Sequence, residues 1–442
     1  MNKKAAQQML SYRIIIFSIL AVAYLLVTFH RMSTAVITQD LREVFAIDAA
    51  ALGILGSMYT IPYALMQIPC GILSDTIGPR KLVTYSFIIA GAGAFLFGAT
   101  PTFGGALIGR FLIGLGVASV YVPTLKILAV WFRKNEFATL TGILGGLGAL
   151  GALIASAPLA FASELVGWRL VISTIGAATL VMAILSHLFV RNHPSEKGYP
   201  AIEEIDGAAA PATAAAERLP VFASLRMVFG NKYIWPLLIR GFMFAGAGLS
   251  LQSLWGGPFL MHVVKLDRVQ TGSLLMMISI GSLITSPIGG YLSDKVIRSR
   301  KKLAVLSGIL TVAGWIPLAL LPDKMTPVLL YVLFLFMGVA GGLGLGSVGV
   351  AQVKELFPNA LAGTATGVNN FFQMSGSAVF TVVLGMIINR YPAVNEVYPI
   401  VAYQTAFTYL LICVIIGTIA VSLSKETMTR ETTGTTAALA GK

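Results

Sequence analysis

The sequence predicts an all-α membrane protein with twelve transmembrane helices in two pseudo-symmetric six-helix bundles. Its 442 residues are 56% hydrophobic and only 11% charged, with a mean hydropathy of +0.83, which is far more apolar than a soluble globular domain. Crossing roughly 30 Å of hydrocarbon takes about 20 helical residues, and the chain offers twelve apolar runs of that size. A repeat of one half of the sequence in the other predicts the two bundles.

The twelve runs are separated by polar breaks or by breaks that contain Gly and Pro. We place them near residues 14–38, 49–72, 82–100, 104–128, 138–161, 168–190, 233–260, 270–292, 303–321, 327–350, 363–389 and 400–423. The first run follows Lys3 and Lys4 and so resembles a signal peptide, but it is long and lacks a small-residue cleavage site. We therefore expect it to be the first span.

The formal net charge of +13 reflects topology rather than a nucleic-acid surface. Most of the 31 Lys and Arg residues fall in the predicted loops on the side of the amino terminus. By the positive-inside rule, both termini are expected in the cytoplasm, and no nucleic-acid partner is expected. Cys70 and Cys413 lie far apart in apolar runs, so the sequence predicts neither a disulfide nor a metal site.

The internal repeat is an ungapped match of residues 52–75 to residues 271–294, an offset of 219. Between the two sets of six runs lies a break at 191–232, whose acidic and Ala/Pro-rich composition cannot bury a core. We therefore expect an N-terminal bundle (1–190), a cytoplasmic linker (191–232), a C-terminal bundle (233–423) and a cytoplasmic tail (424–442). Duplicated six-span units with a substrate site between them are a recurring design of secondary transporters.

Two sequence motifs extend this interpretation to a family. Residues 71–81, GILSDTIGPRK, resemble the signature loop between spans 2 and 3 of the major facilitator superfamily, and residues 290–294, GYLSD, resemble its degenerate second copy. Residues 110–116, RFLIGLG, are similar to the span-4 motif of the family. The resemblance covers essentially the whole chain. It implies a rocker-switch transporter with no cofactor and no ATP hydrolysis, and the sequence has no GxxxxGK[ST] phosphate loop.

The signature loop is predicted to act as a latch that holds one conformation. Gly71 would let two helices approach closely, Gly78 would permit a turn, and Asp75 would pair with Arg80 or with a helix amino terminus. A basic loop that only sets topology is the alternative, but the acid, the glycines and the bases occur together, which favours the latch. The candidate gating residues are Gly71, Asp75, Gly78, Arg80, Lys81, Gly290 and Asp294.

Apart from Arg169, which stands at the start of the sixth run and is counted with the loops, the charged residues inside the apolar runs are four bases and no acids, namely Arg31, Arg110, Lys126 and Arg240. Charges in hydrocarbon are costly and usually line a polar pathway, so their sign predicts an anionic substrate. Arg31 is the principal candidate, because Tyr24, Thr28 and Thr38 share its face of an ideal helix and this stripe should face a cavity. A structural arginine bonded to neighbouring carbonyls is the alternative.

The place of Arg31, 44 residues before Asp75, resembles that of the anion-binding arginine in the organophosphate antiporter and organic-anion symporter branches of the family. This chain departs from both branches. The second-half position that matches an organophosphate-type arginine is near Ser250 rather than Arg240, and His30 stands where organic-anion symporters often have Asp. With no mid-membrane acid, His30 is the candidate for proton coupling or is a spectator.

The other three bases have open roles. Arg110 and Tyr121 are expected on one face of span 4, where Arg110 either contacts substrate or bonds span 1. Lys126 faces another direction unless Pro123 kinks the helix, and it either contacts substrate or snorkels to the surface. Arg240 lies a turn or two inside span 7 and is expected to snorkel.

Polar side chains on spans 7 and 11 complete the candidate substrate site. They are Gln252, Trp255, Asn369, Asn370 and Gln373. Such side chains in lipid-buried helices either join helices or meet substrate, and for Trp255 packing is the favoured role.

These observations predict a secondary transporter that moves a small organic anion, such as a carboxylate, a sulfonate or a phosphorylated metabolite. We expect it to act as a monomer in the bacterial inner membrane, coupled to a proton or a counter-anion. The alternatives are an exporter of a zwitterionic or larger solute such as a peptide or siderophore, and a non-transporting receptor or assembly protein on the same scaffold. An enzyme is least favoured, because His187, His193 and His262 lie at the ends of runs with no catalytic constellation.

Overall fold

A computed structural model of the chain describes residues 3–200, 202, 221–394 and 397–428. Within them, twelve helices are long and apolar enough to cross a membrane, which confirms the predicted fold class. Spans 1 to 6 are Gln7–Met32, Ala49–Thr76, Pro79–Ala99, Phe103–Trp131, Thr139–Val166 and Trp168–Phe189. Spans 7 to 12 are Trp235–His262, Arg268–Val296, Arg300–Leu320, Pro327–Glu355, Leu361–Ile388 and Ile400–Ser422. We call the side where span 1 begins and span 12 ends the termini end, and the other side the opposite end.

Several spans are interrupted, and the interruptions place polar groups in the middle of the protein. The helix of span 1 ends at Met32, and a buried turn leads to a short helix, Thr38–Phe45, at the opposite end. The predicted first run, 14–38, therefore began seven residues after the start of span 1 and extended six residues beyond its end. The breaks elsewhere follow Ala118 in span 4, Ile154 in span 5 and Leu345 in span 10, and π-helical turns occupy Leu251–Trp255 in span 7 and Leu292–Val296 in span 8. Such π-turns often mark functional sites.

The same helix neighbours recur in both halves, as the internal repeat predicts. In the first half, span 1 packs on span 5, span 2 on span 4 and span 3 on span 6; in the second half, span 7 packs on span 11, span 8 on span 10 and span 9 on span 12. A Cβ on Gly114 would overlap the carbonyl oxygen of Tyr59, and one on Gly338 would overlap that of Ile278. Tyr59 and Ile278 are related by the repeat offset, so corresponding carbonyls receive a glycine in each bundle.

Two seams join the halves, and they are related by the same repeat. Span 2 packs along span 11, and span 5 packs on span 8. Both seams depend on close backbone approach: a Cβ on Gly272 would lie 2.7 Å from the nitrogen of Ala157, and one on Gly385 would lie 2.5 Å from the carbonyl oxygen of Ala49. One hydrophobic cluster runs through both bundles.

The linker between the halves contains more structure than its composition predicted. Its described residues include a 3₁₀ turn at Pro194–Lys197 and a helix at Val221–Gly230. Val228 of this helix is fully buried and packs with Ile234 and Val353 of the second half. The acidic and Ala/Pro-rich stretch of the linker, 203–216, lies outside the described residues, as does the tail beyond residue 428.

Candidate functional site

Arg31 lies in the last turn of the span-1 helix, next to a ring of tyrosines. Its guanidinium carbon is 4.9 Å from the ring centre of Tyr63, which lies at the middle of span 2, and it also interacts with Tyr59 and Tyr24. Arg31 is partly exposed, although its Nε is buried and has no hydrogen-bond partner among the described residues, as is also true of the Nε of Arg110 and of Arg240. A partly exposed arginine held against neutral aromatic faces, with no ion pair among the described residues, is suited to bind an oxyanion.

The predicted polar stripe on span 1 is divided by the end of the helix. Tyr24 packs on Tyr121 of span 4, with ring centres 5.0 Å apart, so these two predicted residues do meet beside Arg31. Thr28 instead donates a hydrogen bond of 2.6 Å to the carbonyl of Gly148 and joins span 1 to span 5. Thr38 begins the next helix and is fully buried. The prediction that all four polar residues share one cavity face was therefore wrong, because the helix stops at Met32.

Arg110 is packed within the first half. It is 2% exposed, and its Nη1 donates a hydrogen bond of 3.2 Å to the carbonyl oxygen of His30. Its guanidinium also lies over the rings of Tyr59 and Phe97, at 5.1 and 5.7 Å. This geometry favours the structural alternative, in which Arg110 bonds span 1.

The His30 imidazole faces span 6. It is 1% exposed, and its Nε2 shares a hydrogen bond of 2.9 Å with the hydroxyl of Thr179. His30 and Arg31 therefore point to different neighbours although they are adjacent in sequence.

Lys126 lies with the latch loop rather than with Arg31. Span 4 breaks after Ala118 and resumes at Tyr121, with Pro123 in the first turn of the new helix, where proline is tolerated. Beyond this break, the Lys126 ammonium forms an ion pair with Asp75 and donates a hydrogen bond of 3.2 Å to the carbonyl of Gly71. The snorkelling expectation is replaced by an ion pair across spans 2 and 4.

The remaining latch residues join span 3 to the end of span 6. Gly78 has φ 86°, the conformation that the predicted turn needs. Arg80 donates two hydrogen bonds, of 3.0 and 2.6 Å, to the carbonyl of His187, so Arg80 is not the ion-pair partner of Asp75. Lys81 is exposed. A Cβ on Gly71 would meet no atom within 4 Å among the described residues, so its predicted role in close helix approach is not seen here.

The second copy of the loop forms its own cluster. Asp294 lies in the π-helical turn that ends span 8, four residues after Gly290, and pairs with Arg300. Arg300 also bonds Glu355 at the end of span 10, with an Nη2 to Oε1 distance of 2.9 Å. Each copy of the motif thus ties together helices of its own half.

Arg240 is buried in the second half, which corrects the expectation that it snorkels. It is 2% exposed, its Nη1 lies 3.4 Å from Oε1 of Gln352 on span 10, and its guanidinium lies over the ring of Phe244 at 5.6 Å. A Cβ on Gly344 would lie 2.6 Å from its Nη2, so a glycine of span 10 makes the space that the guanidinium occupies.

The polar residues of spans 7 and 11 divide between packing and the seam. Trp255 is 1% exposed and donates a hydrogen bond of 3.0 Å to the carbonyl of Thr381, which is a packing role. Gln252, in the π-helical turn, donates one of 2.7 Å to Ser279 of span 8. Asn369 and Gln373 both face Gly241 of span 7.

Asn370 reaches the first half, where sequence reasoning missed its partner. Its amide donates a hydrogen bond to Oε1 of Gln67, and the Gln67 amide donates one of 3.1 Å to the carbonyl of Tyr63. The guanidinium of Arg31 lies over the ring of Tyr63, so these contacts connect the cation of one half to an amide of the other. The regular spacing of Tyr59, Tyr63 and Gln67 along one face of span 2 was the available signal.

The opposite end of the molecule holds a second group of contacts that sequence reasoning missed. Asp40, in the short helix after span 1, forms an ion pair of 2.8 Å with Arg268 at the start of span 8. Nearby, a Cβ on Gly257 of span 7 would overlap the carbonyl oxygen of Ala35. The two halves therefore touch directly at this end.

A hydrogen-bonded chain strengthens the same closure. Asn389 donates a bond of 2.9 Å to Asp48, and the hydroxyl of Tyr398 donates one of 3.0 Å to Asn389 while it accepts one of 3.0 Å from the N–H of Ala49. Arg42 lies over the ring of Tyr398 at 4.9 Å. Asp48, Ala49 and Arg42 belong to the first half, and the other two residues belong to the second.

A cavity of about 680 Å³ opens beside the Asp40–Arg268 pair. Its ionisable lining residues carry both signs and are Asp40, Arg42, Glu43, Glu164, His262, Lys265, Asp267 and Arg268. Burial raises the pKa of Asp40 above its ordinary value of 3.8, although the neighbouring guanidinium of Arg268 opposes this rise. The mixed lining marks this cavity as a mouth of the protein rather than as a selective anion site.

Comparisons with known proteins agree with this architecture. A family model described as Major Facilitator Superfamily matches residues 20–381. The chain is 24% identical to a "Probable L-galactonate transporter" of Escherichia coli (strain K12), over 81% of this chain and 79% of that protein. It is 22% identical to a "Probable sulfoacetate transporter" of Cupriavidus necator, over 87% and 89% of the two chains.

A solved structure shows the same fold. It is the crystal structure of a bacterial homolog of the human lysosomal transporter Spinster in an inward-facing and unoccupied conformation, with a TM-score of 0.76 and 18% identity. The match covers 93% of this chain and 96% of that one. With twelve apolar helices, two repeated bundles and a family model that spans most of its length, the chain is a multi-pass membrane protein and belongs to the Major Facilitator Superfamily.

Proposed function

We propose that the chain is a secondary active transporter that carries a small organic anion by alternating access, with Arg31 as the charge partner of the solute. The observation that carries this proposal is the position of Arg31, which is partly exposed and has no ion pair among the described residues, against tyrosines at the middle of span 2. A planar guanidinium fork matches a carboxylate, a sulfonate or a phosphate.

The contacts across the seam support a site that both halves share. The series Arg31, Tyr63, Gln67 and Asn370 leads from the cation in span 1 to an amide in span 11. A solute that bonds groups of both halves changes its contacts when the halves rotate, which is the requirement for coupling binding to alternating access. The names of the relatives, which are transporters of organic acids, support the same class of solute and no enzymatic activity.

The experiment is uptake of radiolabelled L-galactonate and of a panel of other organic anions into proteoliposomes. Arg31→Gln should lower uptake by about 100-fold, because a charge-assisted bidentate contact is lost, and Arg31→Lys should fall in between. Arg226→Gln is the matched control, since Arg226 is exposed on the linker helix. Uptake that prefers neutral or cationic solutes, or that survives Arg31→Gln, would refute the proposal.

The coupling of this transport is proposed to be to a proton, with His30 as the titrating group, or to a counter-anion. His30 adjoins Arg31 in sequence, and its carbonyl accepts a hydrogen bond from Arg110. A change in the protonation of the imidazole would therefore alter the contacts of span 1. An inward proton gradient should drive uptake in the wild type but not in His30→Gln in the first case. In the second case, uptake should depend on anion loaded inside the vesicles.

The cellular setting proposed here is a monomer in the bacterial inner membrane, with both termini in the cytoplasm. The excess of Lys and Arg in the loops at the termini end supports this orientation. Protease or reporter fusions at the two termini test it, and exposure of either terminus to the exterior would contradict it.

A further inference from the structure

We infer that the substrate site takes a solute with a single negative charge and a neutral, hydrogen-bonding remainder. This inference rests on the proposed function and deepens it. Four intramembrane bases suggest room for several negative charges, but burial inside one half or an ion pair keeps three of them from a solute held between the halves.

Arg110 is enclosed by the first half, although its Nε has no hydrogen-bond partner among the described residues. One Nη donates to the carbonyl of His30, the rings of Tyr59 and Phe97 lie over the guanidinium, and only 2% of the residue is exposed. A solute would have to separate spans 1, 2 and 3 to reach it, and such packed cores resist this opening.

Lys126 and Arg240 are also removed from the site. Lys126 is neutralised by Asp75 and lies at the latch loop. Arg240 is 2% exposed, and its contacts are with Phe244 of its own span and with Gln352 and Gly344 of span 10, so it lies inside the second half and away from the seam. A solute held between the halves meets neither of these two charges.

Of the four bases, Arg31 is the one that is partly exposed and has no ion pair among the described residues. Its surroundings are neutral, since its partners are the tyrosines 24, 59 and 63. On the side of the second half, spans 7 and 11 carry three partly exposed amides, Gln252, Asn370 and Gln373. Amides offer both donors and acceptors, so they suit hydroxyl groups rather than a second anionic group.

The site should therefore discriminate between solutes by their number of negative charges. A second negative charge on the solute would enter a desolvated site with no counter-ion, and an unpaired buried charge is strongly unfavourable. A neutral polyol of the same shape would leave Arg31 unpaired. A hydroxylated acid with one carboxylate or one sulfonate satisfies both conditions.

The experiment compares four probes of one size on the purified full-length protein: galactonate, galactarate, galactose 6-phosphate and galactitol. Ligands that bind the folded state raise its melting temperature, so the concentration dependence of the shift gives apparent affinities. Galactonate should bind at least about tenfold more tightly than galactarate or the phosphate ester, since both of these carry close to two negative charges at neutral pH. Gluconate, lactate and methanesulfonate extend the singly charged set.

The outcomes separate this inference from the proposed function. If galactarate or galactose 6-phosphate binds as well as the best singly charged probe, or if no singly charged probe binds, the single-charge inference is wrong, while binding of any anion leaves the proposed function standing. If galactitol binds best, both are wrong.

A gain-of-charge variant gives an independent test. Gln252→Lys adds a second cation to the proposed site, an ammonium in the π-helical turn of span 7 next to Ser279, and Gln252→Met is a neutral control of similar volume. The preference for galactonate over galactarate should fall by about tenfold in Gln252→Lys and should persist in Gln252→Met. If the lysine variant does not fold, Gln373→Lys on span 11 takes its place. An unchanged preference in a folded lysine variant would overturn the inference.

Discussion

The two ends of the molecule organise their charges differently. At the termini end, the described ion pairs each lie within one half, as Lys126 with Asp75 does in the first and Arg300 with Asp294 does in the second. At the opposite end, the pair of Asp40 and Arg268 joins the halves. Rotation of one half against the other would therefore break the opposite-end pair and leave the termini-end pairs intact.

Ion pairs of similar chemistry therefore have different consequences at the two ends. A pair inside a half fixes the shape of a rigid body, whereas a pair between halves contributes to the free-energy difference between conformations. Hence changes at the opposite end should shift the population of closed protein, and changes at the termini end should act mainly through the geometry of one half. Four predictions test this division.

The largest shift is expected from Gly257→Ala. The added Cβ would overlap the carbonyl oxygen of Ala35, and relief of such overpacking costs about 1–3 kcal/mol, so the opposite end should open in a large fraction of molecules. Spin labels at the exposed Val44 and Val394 report the distance across this end. Gly248→Ala is the matched control, because a Cβ there meets no atom within 4 Å among the described residues. Equal distance distributions in the two variants would contradict the prediction.

The next effect is expected from Arg268→Gln. This change leaves the carboxylate of Asp40 without its counter-charge where the Asp40 side chain is only 22% exposed, so the opposite end should loosen by roughly 1 kcal/mol, or about fivefold in population. Adding Asp40→Asn should restore closure, since no unpaired charge remains. The same label pair measures both variants. A double variant as open as the single one would show that the two side chains act independently.

Asp75→Asn should have a smaller effect on this distance and a visible effect on transport. The change removes the partner of Lys126 within the first half, so uptake should fall by about a few-fold while the distance across the opposite end stays close to wild type. Asp75→Glu, which keeps the charge, should retain most of the uptake. If neither transport nor conformation changes in Asp75→Asn, the latch hypothesis is abandoned.

The smallest effect is a pH dependence that resides in Asp40. Burial raises its pKa in the closed state above the ordinary value of 3.8, so the ionised carboxyl opposes closure at neutral pH, and this opposition disappears as the pH falls through the raised pKa. Mild acidification should therefore favour closure by less than about 1 kcal/mol, and by more in Arg268→Gln.

The control for this pH effect is Asp40→Asn, in which the dependence should vanish. The ionisable groups that face Asp40 at the mouth are Arg42, Glu43, Glu164, His262, Lys265, Asp267 and Arg268. His262→Gln should leave the dependence in place, because the His262 Nδ1 is bonded to Tyr403 at 2.9 Å. Opening on acidification would show that the sign is wrong.

The sequence predicted the fold well because hydrocarbon thickness and backbone hydrogen bonding leave few alternatives for long apolar runs. It also predicted the turn at Gly78. It placed Arg240 wrongly, because a glycine on span 10 makes room for its guanidinium, and nothing near Arg240 in the sequence reveals that glycine. Lys126 and Asp75 meet across two helices, so their pairing is likewise a tertiary property.

The opposite-end contacts were beyond prediction for a different reason. Asp40 lies in a helix of eight residues and Arg268 is the first residue of span 8, and their contact joins parts of the chain that no sequence pattern relates. By contrast, Tyr59, Tyr63 and Gln67 recur every four residues on a single helix, and attention to that spacing would have found the wall of the site.

The tyrosine contacts of Arg31 affect how readily a transporter releases its solute. Between turnovers the guanidinium is not bare, since the rings of Tyr63 and its neighbours stabilise it in the absence of solute. In the proposed role of Arg31, an arriving anion gains only the difference between its own attraction and that of the rings, which keeps its affinity moderate. Transport requires release as well as binding, and an arginine that has an alternative partner shortens the residence time of the bound anion.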